Sequence, residues 1–157
     1  MGKREIVMFP DDILQVECEK VTVFDKELRS LLRDMHITMI ESDGVGLAAP
    51  QIGIRKQIAV VEDDDGRIID LINPVIINKS GSQIGPEGCL SFPGLFGDVE
   101  RSSMIKVRAQ DKMGKMMLFE ATDFFARVIQ HELDHLNGIL FPTKAISLYT
   151  DEGKEDE

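Results

Sequence analysis

The sequence predicts an α+β fold in which short, mainly antiparallel strands pack around a buried helix carrying the pattern H-E-x-x-H. Three observations carry that prediction. Two segments, 25–42 and 122–137, have the apolar spacing of helices, and five short runs rich in β-branched residues lie between them. The second helix is also apolar around most of its circumference, so its place is inside the molecule.

The first helix, DKELRSLLRDMHITMIES (Asp25 to Ser42), sets Leu28, Leu31, Leu32, Met35, Met39 and Ile40 at amphipathic spacing, with Asp25 as N-cap and DGVG as the closing turn. His36 lies in it, where an ordinary packing or surface histidine is expected. The strands are QIAVVE (57–62), RIIDLI (67–72), PVIINK (74–79), SMIKVRAQ (103–110) and KMMLFEA (115–121), separated by the turn chemistries DDDG, NP, KSG and DKMG. DKMG between two such runs predicts an antiparallel hairpin.

The second helix starts at Thr122 or Asp123 and ends where Asn137-Gly138 supplies a left-handed cap. Asp123, Arg127, Gln130 and Asp134 form one polar stripe along it, and Phe124, Phe125, Val128, Ile129, Leu133 and Leu136 cover the rest. No repeat or linker divides the chain, so one domain over 1–148 is expected, with an acidic disordered tail over 149–157.

Composition narrows the function. With 157 residues, 43% apolar and 29% charged, the chain matches a single globular domain with a sizeable core. A net charge of -10 with no basic stripe argues against direct nucleic-acid binding. MGKREIVMFPDD has no apolar leader segment, and no stretch approaches a membrane span, so a cytoplasmic protein without membrane contact is expected. Two cysteines make no disulfide framework. Cys18, in VECEK, reads as a small buried hydrophobe.

The chemistry concentrates in QHELDH, Gln130 to His135. His131 and His135 are one turn apart, on the face that also carries Phe124 and Val128, so both imidazoles point inward. Burying two histidines and a carboxylate is costly unless they are paired, and one divalent cation satisfies them together. Glu132, about 100° further round the helix, stands beside such a metal without having to ligate it.

A third ligand must come from elsewhere. A metzincin would place histidine where Phe141 stands, and a thermolysin-like glutamate would have to come from the terminal tail, a poor place for a rigid ligand. The remaining candidate is Cys89 in EGCLSFPG, held between glycine and proline turns. Two histidines and a cysteine leave a fourth position open, which suits catalysis; a closed structural site would need His36. Phe124 and Val128, with Val45 as a third wall, would line an apolar cavity beside the metal.

Three stretches together, GVGLAAPQ (44–51), EGCLS (87–91) and QHELDH (130–135), resemble the peptide deformylase family in pattern, order and separation. The likeness runs from about residue 4 to about residue 145. It implies a metal-dependent hydrolase that removes the formyl group from N-formylmethionine of nascent chains and releases formate. Cys89, His131 and His135 become the metal ligands and Glu132 the general base and then acid. The amide of Gln51 and the backbone N–H of Leu90 hold the oxyanion, and Gly46 meets the substrate backbone. Glu87 pairs with Arg101 to steady the cysteine strand.

The resemblance also implies one divalent metal per chain. Ferrous iron is the ion expected in the cell, with Zn2+, Ni2+ and Co2+ also compatible with imidazole and thiolate. Many members extend into a C-terminal helix that in some bacteria docks on the ribosome; here the C-terminal residues are acidic, which does not favour ribosomal RNA. FPGLFGDVE, read as an apolar loop, differs from members with an arginine near Phe96. Two other readings stand beside this one: a metallopeptidase, which would release peptide fragments, and a binding module with a relict metal site.

Overall fold

The computed structural model describes residues 2–150. Its first long helix, α1, runs over Lys26–Glu41, with the Asp25 carboxylate accepting from the Leu28 N–H at 3.0 Å. Leu28, Leu32, Met35 and Met39 form its buried stripe. Ile40, included in that stripe by spacing, is exposed because it lies about 100° round the helix from Met39, off the buried side.

Eight strands follow: β1 (Gly46–Ala48), β2 (Ile58–Glu62), β3 (Ile68–Ser80), β4 (Gln83–Cys89), β5 (Phe92–Arg101), β6 (Met104–Gln110), β7 (Met116–Thr122) and β8 (Ala145–Thr150). They form one sheet in the order β1-β2-β3-β6-β7 and another in the order β4-β5-β8. Every pairing is antiparallel. The DKMG hairpin forms as expected between β6 and β7: the Asp111 carboxylate accepts from the Met113 and Lys115 N–H groups, and Gly114 has φ 84°.

Three expectations are corrected. Asn73-Pro74 does not end a strand; the runs 67–72 and 74–79 are one strand, β3, that bulges at Asn73 (φ 52°). The Asn73 side chain holds the bulge, donating to Val21 O and Gln110 Oε1 and accepting from Val21 N–H. Apart from a turn at Leu90-Ser91, the segments EGCLSFPG and FPGLFGDVE, read as turns and loop, belong to β4 and β5. Pro86 is tolerated because β4 is an edge strand and its missing N–H breaks no central ladder. Finally, Tyr149 and Thr150, where the tail was expected to begin, belong to β8 and pair with β5; the rest of the expected tail, 151–157, lies outside the described residues.

The second long helix, α2 (Asp123–Leu136), ends with Gly138 at φ 74°. It is followed by the short α3 (Phe141–Lys144). The larger sheet is covered on both faces. Ile58 and Val60 of β2 pack toward α1, and Ala59 and Val61 toward α2. That double burial explains why QIAVVE is apolar without alternation. The middle of the polar stripe expected on α2 is not solvated: Asp123 is exposed, but Arg127 and Gln130 are 5% and 9% exposed, because this side of the helix faces the smaller sheet. Gln130 satisfies its amide on the Ser102 backbone. Among the described residues no helix is long and apolar enough to cross a membrane.

Candidate active site

Two elements bring the predicted ligands together. On α2, His131 and His135 lie one turn apart with ring centroids 5.0 Å from each other. Cys89 closes β4 just before the turn into β5, and its Sγ is 3.3 Å from His135 Nε2. One ligand atom from each of Cys89, His131 and His135 falls within 4.8 Å of the others.

His131 is aimed by its other nitrogen: Nδ1 lies 2.8 Å from Glu87 Oε1, which leaves Nε2 free to face the thiol. Glu87 is itself gripped. Arg101 binds it through two nitrogens at 2.8 and 2.9 Å, and Arg127 Nη1 approaches Oε2 at 2.7 Å. Arg101 also reaches Asp134 Oδ2 at 2.5 Å. The pairing expected between Glu87 and Arg101 is therefore present in this geometry.

The donor set fits a divalent cation. Two imidazoles and a thiol suit such an ion, and beside them the buried Glu132 Oε1 has no hydrogen-bond partner, which is costly unless something else compensates. Burial opposes charge on His131, yet its hydrogen bonds to Cys89 and Glu87 push its pKa up to about 10. Burial also raises the Glu132 carboxyl to about 7 and pushes His135 well below its ordinary value.

A cavity of about 550 Å³ opens onto this cluster, lined among others by Val45, Gly46, Gln51, Leu90, Phe124 and Val128. Val128 is a deep wall at 6% exposure, whereas Phe124 at 57% and Val45 at 38% stand at the mouth. Gly46 lies against the glutamate: a Cβ built there would come 3.0 Å from Glu132 Cγ and Cδ and closer still to Oε2. Gln51 is 1% exposed and its orientation is set by Ala48, whose N–H donates to Oε1 at 3.0 Å. Its Nε2 therefore faces Cys89 Sγ at 3.5 Å and Ser91 Oγ at 3.2 Å.

Sequence reasoning passed over three neighbours. Arg127 was assigned to the polar stripe, although it precedes His131 by one turn and so shares its side of α2. Ser91 completes the Gln51 amide contacts. Phe141 is 2% exposed and packs on the His131 ring at 5.9 Å. Only the i, i+4 relation of Arg127 to His131 offered a signal in the sequence; the other two depend on how the chain turns back.

Fold and site together define an α+β hydrolase centre in which a helix bearing H-E-x-x-H faces a cysteine on an edge strand. Residues 3–150 match the family model described as polypeptide deformylase. Peptide deformylase 1 of Bacillus cereus is 57% identical over 150 residues, covering 95% of this chain and 96% of that protein. Peptide deformylase 1 of Bacillus subtilis is 54% identical over 158 residues, covering 99% and 98%. The crystal structure of peptide deformylase from Thermotoga maritima superposes with a TM-score of 0.91 at 39% identity, covering 94% of this chain and all of that one. A Synechococcus elongatus peptide deformylase, solved in complex with actinonin, gives 0.88 at 40% identity over 92% of this chain and 79% of that one. The chain belongs to the polypeptide deformylase family, metal-dependent enzymes that remove N-formyl groups from nascent peptides.

Proposed function

We propose that this chain hydrolyses the formamide of N-formylmethionyl peptides and nascent chains in the cytoplasm, releasing formate and a free N-terminal methionine. The observation that carries the proposal is the convergence of Cys89, His131 and His135 beside a cavity that Cys89, His131 and Glu132 line. Cys89, His131 and His135 would hold the metal: ferrous iron in the cell, with zinc, nickel or cobalt as substitutes. When bound, it supplies Lewis acidity that brings the pKa of a water toward neutrality.

Glu132 takes the proton of the attacking water and delivers it to the leaving amine nitrogen, so one carboxylate serves both halves of the reaction. As the formyl carbon becomes tetrahedral, its oxygen gains charge, and Gln51 Nε2 and the Leu90 N–H are the donors proposed to meet it. Losing one such donor typically costs about 10²- to 10³-fold in rate. Gly46 lets a substrate backbone pass beside Glu132, and Val45, Phe124 and Val128 receive the methionine side chain, an unbranched group that adapts to such a wall. Glu87, held by Arg101, keeps the His131 ring in the orientation that frees Nε2.

Nascent chains supply such substrates, and the net charge of -10 argues against docking on ribosomal RNA by charge attraction alone. The test is formate release from formyl-Met-Ala-Ser by anaerobically purified, iron-loaded protein, with Glu132→Ala alongside. Formate from the wild type and none from the variant is expected. Metal-loaded wild type that yields no formate, or that cleaves an internal peptide bond instead, overturns the proposal.

A further inference from the structure

The contact between β4 and α2 is a three-rung ladder. Gln83, Gly85, Glu87 and Cys89 are the more buried positions of β4, and Ile84, Pro86 and Gly88 the exposed ones. Two strand residues advance roughly 6.6–6.8 Å and four helix residues about 6 Å, so successive inward positions of the strand meet successive turns of the helix. On the first rung the Arg127 guanidinium lies over Gly85, where an added Cβ would come 3.3 Å from Nη2. On the second, Glu87 bridges Arg127 and His131. Cys89 and His135 form the third.

Arg127 differs from Arg101 in what it joins. Arg101 comes from β5, the strand paired with β4, so its grip on Glu87 lies within one sheet and it reaches α2 only through the Asp134 side chain. Arg127 comes from the helix. Besides Glu87, its Nη1 donates to Val99 O at 2.9 Å and Gly85 O at 3.3 Å, and its Nη2 to Gln83 O at 3.3 Å. One 5% exposed guanidinium therefore ties α2 to two strands of the smaller sheet. The planar fork of arginine suits that task; a lysine ammonium could reach only part of it.

We infer that Arg127 is a positioning residue that sets the spacing and register between β4 and α2, and thereby the placement of Cys89 against His131 and His135. The inference rests on the reading of those three residues as metal ligands. Without the strut, Glu87 keeps Arg101 and His131 and Arg101 keeps Asp134, but α2 loses its anchor on the backbone carbonyls of β4 and β5 next to the site.

The test uses cobalt-loaded protein, whose thiolate-to-cobalt absorption band reports Cys89 coordination, and the rate at which excess chelator removes the metal. Arg127→Met keeps the apolar stem, Arg127→Lys keeps the charge without the fork, and Ile129→Val, a core change on the same helix, controls for stability alone. Arg127→Met is expected to weaken the band and speed release about 10- to 100-fold, the range for residues that orient a metal ligand. Arg127→Lys is expected to fall between it and the wild type, and Ile129→Val to match the wild type. Arg127→Met release indistinguishable from the wild type, full rescue by lysine, or equal acceleration by Ile129→Val each overturns the inference. Should Arg127→Met not fold, the lysine variant decides alone. Absence of the band in the wild type instead refutes the metal reading itself.

Discussion

Gly46→Ala isolates the base from the rest of the site. All three of the nearest atoms to the added Cβ belong to Glu132, at 3.0 Å for Cγ and Cδ and less for Oε2. Carbon contacts rest at about 3.5–4.0 Å, so the carboxylate must retreat by roughly 0.5–1 Å. Gly46 does not have a positive φ, so the methyl strains no backbone; the penalty falls on the glutamate. A displacement of about 1 Å in a reacting group can cost about 10²-fold. The expected result is kcat lower by about that factor, KM raised because the methyl also stands where the substrate backbone would pass, and metal content unchanged because the ligands stay in place. Steady-state kinetics on formyl-Met-Ala-Ser with metal analysis of the same samples reads all three. An unchanged kcat, or a loss that merely follows lost metal, would refute the reasoning.

Three further outcomes are expected. Peroxide should inactivate the enzyme by oxidising Cys89 or the metal, and peptide mass analysis should find no oxygen on Cys18, whose buried thiol is pushed up to about 11; activity that survives with the metal still bound counts against it. Asp34 is held below the usual carboxylate range, first by the Gly2 backbone N–H and then, against burial, by Arg4. Its stabilisation is complete above the unfolded pKa of about 3.9 and is lost as pH falls through the lower folded value, so Asp34→Asn should flatten the acid limb of urea midpoints taken between about pH 5 and pH 3. Leu71→Ala, at a fully buried position of β3, should cost about 2–5 kcal/mol in urea unfolding; a loss well below that range would mean the sheet repacks there.

The elements that the sequence revealed share one property: their evidence is local. Asp25 with Leu28, Leu32, Met35 and Met39 marks α1 because a cap and a 3.6-residue stripe need no distant partner. QHELDH shows two histidines on one side of a helix for the same reason. Among the strands it concealed, β4 and β5 carry Gly85, Pro86, Gly88, Pro93, Gly94 and Gly97, residues that signal turns in isolation. Their strand state comes from pairing, with β4 at an edge that spares Pro86 a partner. Arg127 and Gln130 misled in a similar way. Polar side chains at helical spacing suggest a solvated face, but here the acceptors are carbonyls of β4, β5 and Ser102.

The sequence by itself determined the two long helices, the inward-facing histidine pair, the nomination of Cys89 and, through three motifs in order, the family. Tertiary structure decided the rest: the edge strand that carries Glu87 and Cys89 to α2, the clamp of Arg101 and Arg127 on one carboxylate, and the nearness of Gly46 to Glu132. Periodicity fixes which side of a helix a residue occupies. What that side meets depends on backbone partners many residues away, and those are settled only when sheet and helix pack together.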